Sequence, residues 1–169
     1  MAKLKAFAQN LRSQNLGEIP EFDPLDGGTN AKVLFLFEKP GPKAFLSGFI
    51  SRNNNDPTAE ATFCFMQQAG ISREQTVIWN VIPGWDGTRK FSRADLINGG
   101  EQLKSLIDLI TKLRVIVCVG KSAQLSFLKL NVVSYPVLYS VHPSPINRAS
   151  RQSEWRDIPV SWSRALSFI

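Results

Sequence analysis

"VLFLFEKPG", residues 33–41, joins five consecutive apolar side chains to a charged turn that carries proline and glycine. A strand that shows one face to water alternates apolar with polar residues, so an unbroken apolar run implies that both faces are covered. The stretch therefore reads as an inner strand of a parallel sheet. Three further runs, 76–81 (TVIWNV), 114–119 (RVIVCV) and 137–141 (VLYSV), have the same character. Each is of strand length, rich in β-branched or aromatic residues, and leads straight into Gly, Pro or Asn.

Helical patterns lie between these runs. Asp56-Pro57 is a good helix start, because Asp caps free N–H groups and Pro suits the first helical position. That helix is predicted to pass through Thr62, Phe63 and Met66 and to stop at Gly70. A second, over 92–112, gathers Leu96, Leu103, Leu106, Ile107 and Ile110 on one face, with Gly99-Gly100 as its weak point. A third begins near Ser122 and carries Leu125 and Leu128. Strand alternating with helix predicts an α/β three-layer sandwich: a central, mainly parallel four-stranded sheet with helices on both faces and right-handed crossovers. One domain over 1–169 is expected, with a less regular N-terminal segment over 1–30.

The 169-residue chain carries 20 Lys and Arg against 14 Asp and Glu, a net charge of +6. A chain of this length buries about two-thirds of its surface, enough for one core. The positive balance favours an anionic partner, nucleic acid being the commonest, with plain solubility as the bland alternative. Cys64 in a predicted helix and Cys118 in an apolar run both read as buried, reduced thiols. With no CxxC pair and no Cys/His cluster, neither a zinc site nor a cysteine-held iron–sulfur cluster is expected, and no organic cofactor is implied. GxGxxG and P-loop signatures are absent, which argues against an ordinary nucleotide-binding α/β protein. No stretch approaches about 18 uninterrupted apolar residues and no signal-peptide core is visible, so the chain reads as cytoplasmic, meeting the nucleoid through DNA.

In open α/β sheets, ligands bind beyond the carboxyl ends of the strands. Those ends here are EKPG (38–41), NVIPGW (80–85), GKSAQ (120–124) and HPSPINR (142–148), the last holding the single histidine. Together and in this order they resemble the motifs of the uracil-DNA glycosylase superfamily, over roughly residues 31–150. HPSP is the most specific element. The first loop is similar to the Glu-x-Pro-Gly version of the family's first motif. Trp79-Asn80 matches the strand-end Asn that reads the base, and VGKSAQ resembles the phosphate-contacting Gly-Ser loop.

The resemblance implies DNA as partner and a base flipped out of the duplex, since chemistry on a base requires its extrusion. It implies His142 as a donor to the 2-carbonyl of the departing pyrimidine, where negative charge develops. Asn80, with one acceptor and two donor hydrogens, would read the pyrimidine edge. Ile146 stands where the family carries a wedge that fills the vacated stack, behind Pro145. Lys121, Arg148 and Arg151 are candidate phosphate partners, and Ser122 and Ser144 candidate neutral donors. An aromatic platform under the base is expected, with Phe49 first and Phe45 next.

The first motif departs from the best-known branch, where an Asp stands in place of Lys39. An ammonium about 5 Å from a sugar cation, at an effective dielectric of about 20, costs roughly 3 kcal/mol, more than a hundredfold in rate. Lys39 is therefore expected to point toward a phosphate or solvent, with a neutral Schiff-base nucleophile as the other reading. Glu38 is the first candidate to activate water and Asp56 the second. Gly41 stands where the strict uracil branch has a Tyr that blocks the 5 position, so a 5-substituted base could enter. The implied function is a monofunctional DNA glycosylase that excises uracil or a modified pyrimidine. The rival reading is a protein of the same fold that recognises an altered base without cutting it.

Overall fold

The structure is a computed structural model that describes residues 1–14, 16–129 and 134–169. In chain order its elements are α1 (Ala2–Arg12), β1 (Glu21–Phe22), β2 (Val33–Phe37), α2 (Pro42–Ser47), β3 (Phe49–Ile50), α3 (Pro57–Gln68), β4 (Thr76–Asn80), α4 (Arg93–Leu109), β5 (Val115–Val119), α5 (Lys121–Lys129), β6 (Val137–Ser140), α6 (Pro145–Ser150), α7 (Gln152–Arg156) and α8 (Ile158–Ser163). The four apolar runs pair as one sheet in the order β4-β2-β5-β6, with every pairing parallel. Every residue of β2, β4 and β5 is buried, as unbroken apolarity requires. The edge strand β6 is only partly covered.

Alternation along the strands divides the core between two faces. Trp79 stacks on Phe22 at 4.0 Å and meets Phe7 of α1 edge-on, so its face belongs to α1, which packs against α4. Phe35 meets Trp162 of α8 edge-on at 4.9 Å on the other face, where α8 packs against α3. The indole N–H of Trp162 donates to the Ser140 hydroxyl at 2.8 Å, tying α8 to the end of β6. A second, two-stranded parallel pairing of β1 with β3 lies outside this sheet.

The helix starts follow their sequence signals. Asp56 accepts from the N–H groups of Thr58 and Ala59, each at 3.0 Å, and Pro57 occupies the first turn of α3. Ser92 and Asp95 form a reciprocal capping box at the start of α4.

Several expectations are corrected. The segment before residue 31 opens with α1, a regular helix whose Leu4, Phe7, Ala8 and Leu11 are buried at helical spacing. Cys64 is exposed, because α3 turns Thr62, Phe65 and Met66 inward and leaves Phe63 and Cys64 outside. Cys118 is buried as expected, and burial pushes its thiol up to about 12. The third helix forms as expected, as α5, with Ala123, Ser126 and Phe127 as its buried face and Leu125 and Leu128 outward.

Gly99 is not a defect of α4. A Cβ there would lie 1.9 Å from the Val81 carbonyl oxygen, so only glycine lets α4 rest on the backbone that follows β4. Gly99→Ala must push helix and strand end apart, an overpacking cost of about 1 to 3 kcal/mol. Thermal unfolding should record a Tm lower by several degrees, whereas Gly41→Ala, with nothing within 4 Å of the added carbon, should leave Tm almost unchanged.

Candidate active site

Parallel pairing brings the strand ends to one edge, with Phe37 opposite Asn80 in register. On β4, Ile78 and Asn80 face α3 while Trp79 faces α1, and both line a cavity of about 620 Å³. Glu38, Asp56 and His142 line the same cavity.

Asn80 is 4% exposed, and among the described residues nothing in the protein hydrogen-bonds its side chain. Its amide is therefore left open to the cavity, with its donors and acceptor unused by the protein. His142 follows β6 with its ring edge-on to Phe37 at 5.4 Å and an interplanar angle of 89°. Asn147 donates to the His142 carbonyl at 2.9 Å, fixing the backbone beneath the ring. Gly120, at a φ of 87°, brings the loop after β5 against the imidazole; a Cβ there would meet the Cβ of His142 at 3.3 Å. Burial pushes the imidazole pKa down to about 4, Asp56 opposing and Arg89 reinforcing the shift. At neutral pH His142 is therefore an uncharged donor.

Asp56 serves two ends. Its Oδ1 caps α3, while the residue also borders the cavity within electrostatic reach of His142. The Glu38 carboxylate has no hydrogen-bond or ion-pair partner among the described residues. Gly41 has an ordinary extended backbone, φ −98° and ψ 174°, with open space where a side chain would start.

Two expected placements are corrected. Lys39 does not point to solvent: it lines the same cavity, its side chain is 5% exposed, and its ammonium donates to Asp86 at 2.7 Å and to the Lys90 carbonyl at 3.0 Å. That hydrogen bond holds the Asp86 carboxyl below its usual range. An ammonium engaged this way ties the first loop to the turn around Asp86 and Lys90. Phe49 and Phe45 are both exposed and neither lines the cavity; in β3 it is Ile50 that faces it, one residue on, because strand side chains alternate.

A second cavity, about 870 Å³, adjoins the first through Glu38, His142 and Ser144. Lys121, Ser122 and Arg151 line it, Arg151 paired with Glu154 at 3.3 Å. The Ser144 hydroxyl caps α6, accepting from the Asn147 N–H, with Pro145 in the first turn. Ile146 stands at the rim, 72% exposed, where an apolar side chain has no structural reason to be. Arg148 lies over the Trp155 ring at 5.3 Å.

Arg89 and Arg52 line the first cavity without having been legible as site residues. Arg52 is held by Asp26 at 3.2 Å and by the Thr76 hydroxyl, and Arg73 pairs with both Asp23 and Asp26. Burial pushes the Asp26 carboxyl up to about 7 against the pull of Arg52.

Fold and site define an α/β protein that offers an unengaged amide and a neutral imidazole to one cavity. Residues 25–162 match the uracil DNA glycosylase superfamily, and the chain belongs to it. Members of that superfamily are typically DNA N-glycosylases, and they act on DNA. No curated protein matches the chain.

Because His142 is the single histidine, its ring resonances report on it alone. An NMR titration should find a midpoint near 4, higher in Arg89→Ala and lower in Asp56→Asn. In the unfolded chain the ring takes its proton near 6.5, so this group should lower stability as pH falls from about 6.5 to about 4 and add nothing further below that. A midpoint at 6.5 would show an imidazole open to water.

Proposed function

We propose that the protein is a monofunctional DNA glycosylase that flips uracil or a 5-substituted pyrimidine out of DNA and hydrolyses its N-glycosidic bond. The observation that carries this reading is the pair of unengaged groups, the Asn80 amide and the neutral His142 ring, on the wall of one cavity. The bond from C1′ to N1 breaks with its electron pair leaving on the base, and the sugar becomes cationic. Water then bonds to C1′ and gives a proton to Glu38, or to Asp56, which passes it on to solvent as the base anion takes one up. His142 donates to the 2-carbonyl as charge gathers there, and being neutral and fixed it needs no reorganisation. Asn80 reads the remaining edge. Ile146 at the rim is placed to fill the gap in the stack. Lys121, Ser122, Ser144 and Arg151, which line the adjoining groove, and Arg148, which lies over the Trp155 ring, are the candidate phosphate partners in this reading.

The alternative, recognition without cutting, drew its support from the charge of Lys39. Pairing with Asp86 offsets that charge and weakens the support for this alternative.

Incubation with oligonucleotides containing uracil, thymine or a larger 5-substituted pyrimidine, scored for abasic sites, tests the reading. His142→Ala should slow base release by about a hundredfold or more with little change in DNA affinity. Equal losses of rate and affinity would mean that His142 is only structural.

Gly41→Tyr separates substrates. Its backbone is ordinary and the space is open, so the ring can enter the pocket without straining the loop. Cleavage of a 5-substituted base should fall by about tenfold to hundredfold relative to uracil, the usual range for one overpacked contact. An unchanged ratio in a folded variant shows that position 41 does not gate the substrate.

A further inference from the structure

Arg89 is an exposed residue of the segment that leads from β4 to α4. It borders the same cavity as Asn80 and His142, not the adjoining groove where Lys121, Ser122 and Arg151 lie. Among the described residues no ion pair or side-chain hydrogen bond engages it. Arg52, the other guanidinium on that wall, is committed to Asp26 and Thr76.

The position of Arg89 is built. Lys39 binds both the Asp86 carboxylate at 2.7 Å and the Lys90 carbonyl at 3.0 Å, and so holds residues on either side of Arg89. Asp86 closes the same turn by accepting from the Thr88 N–H at 3.0 Å, and the Thr88 hydroxyl accepts from the Lys90 N–H at 3.1 Å. A tight, cross-braced turn with one free guanidinium at the cavity is a device for presenting charge at a chosen place.

We propose that Arg89 is a catalytic residue that donates to the carbonyl edge of the departing base, stabilising the negative charge that His142 meets from the HPSP side. The inference rests on the glycosylase reading and deepens it. As the C1′–N1 bond breaks, both electrons stay with the base and spread over its carbonyl oxygens, which a forked set of N–H donors can bind together. A cation there favours bond breaking, whereas the same charge beside the sugar would oppose it. Lys39, held by Asp86 and the Lys90 carbonyl, serves as the positioning residue for the turn.

The test measures single-turnover release of uracil and of 5-fluorouracil from otherwise identical oligonucleotides. Fluorine withdraws electrons and makes the departing anion more stable, so its release needs less help. Arg89→Ala should slow uracil release by about a hundredfold and 5-fluorouracil by about tenfold or less. Affinity for a cleavage-resistant oligonucleotide bearing 2′-fluorodeoxyuridine, and its salt slope, should not change. Arg89→Lys keeps the charge and should recover part of the loss. Equal slowing of both bases, with a salt slope reduced by about one, would assign Arg89 to a backbone phosphate and overturn the inference. So would an Arg89→Ala variant as active as the wild type. A wild-type protein that binds these oligonucleotides and releases neither base overturns the glycosylase reading itself, and the inference falls with it.

Discussion

The parallel pairing of β2 with β4 on one side and β5 on the other is the constraint from which the site follows. Parallel strands all deliver their carboxyl ends to the same edge, so EKPG, the Asn80 turn, GKSAQ and HPSP meet although they are spread over more than a hundred residues of chain. That pairing exists because the inner strands are apolar on both faces and must be covered by helices on both. Register then fixes detail: with Phe37 opposite Asn80, the last residue of β2 supports the imidazole and the last of β4 offers its amide to the same space. A slip of one residue would turn Asn80 toward α1 and bury it against Phe7 and Phe22.

Charge around the cavity is arranged with equal economy. His142 is kept neutral by burial, with Asp56 and Arg89 acting in opposite senses on it. Lys39 would be harmful near a sugar cation, and its ion pair with Asp86 offsets that charge. Arg52 belongs to a buried network with Asp26, Thr76, Arg73 and Asp23 that supports the wall. Breaking one partner of such a network leaves an uncompensated buried charge, which makes the wall intolerant of change. The Glu38 carboxylate and the exposed Ile146 side chain also border the cavity, outside that network.

Most of this was readable because its signals are local. A five-residue apolar run, a Pro after a capping Asp, and His between β6 and two prolines each report on their own neighbourhood. What could not be read depends on distant partners. Lys39 and Asp86 are 47 residues apart, and Arg52 and Asp26 are 26 apart, so neither pairing leaves a spacing signature. Phe49 was misplaced because a two-residue strand gives no alternation to read, and the cavity receives Ile50 instead. Gly99 resembled a helix fault until the backbone it touches, that of Val81, came into view. The amphipathic α1 was the avoidable omission: Leu4, Phe7, Ala8 and Leu11 already carry helical spacing, masked by the absence of a capping residue.

The most direct measurement is a crystal structure of the protein with DNA carrying 2′-fluorodeoxyuridine, which resists cleavage and keeps the substrate intact. The account predicts an extruded uracil in the 620 Å³ cavity, with the Asn80 amide and a ring nitrogen of His142 both within about 2.7 to 3.2 Å of its polar edge. A uracil left stacked in the duplex, or one bound in another cavity with Asn80 and His142 still unengaged, would contradict it.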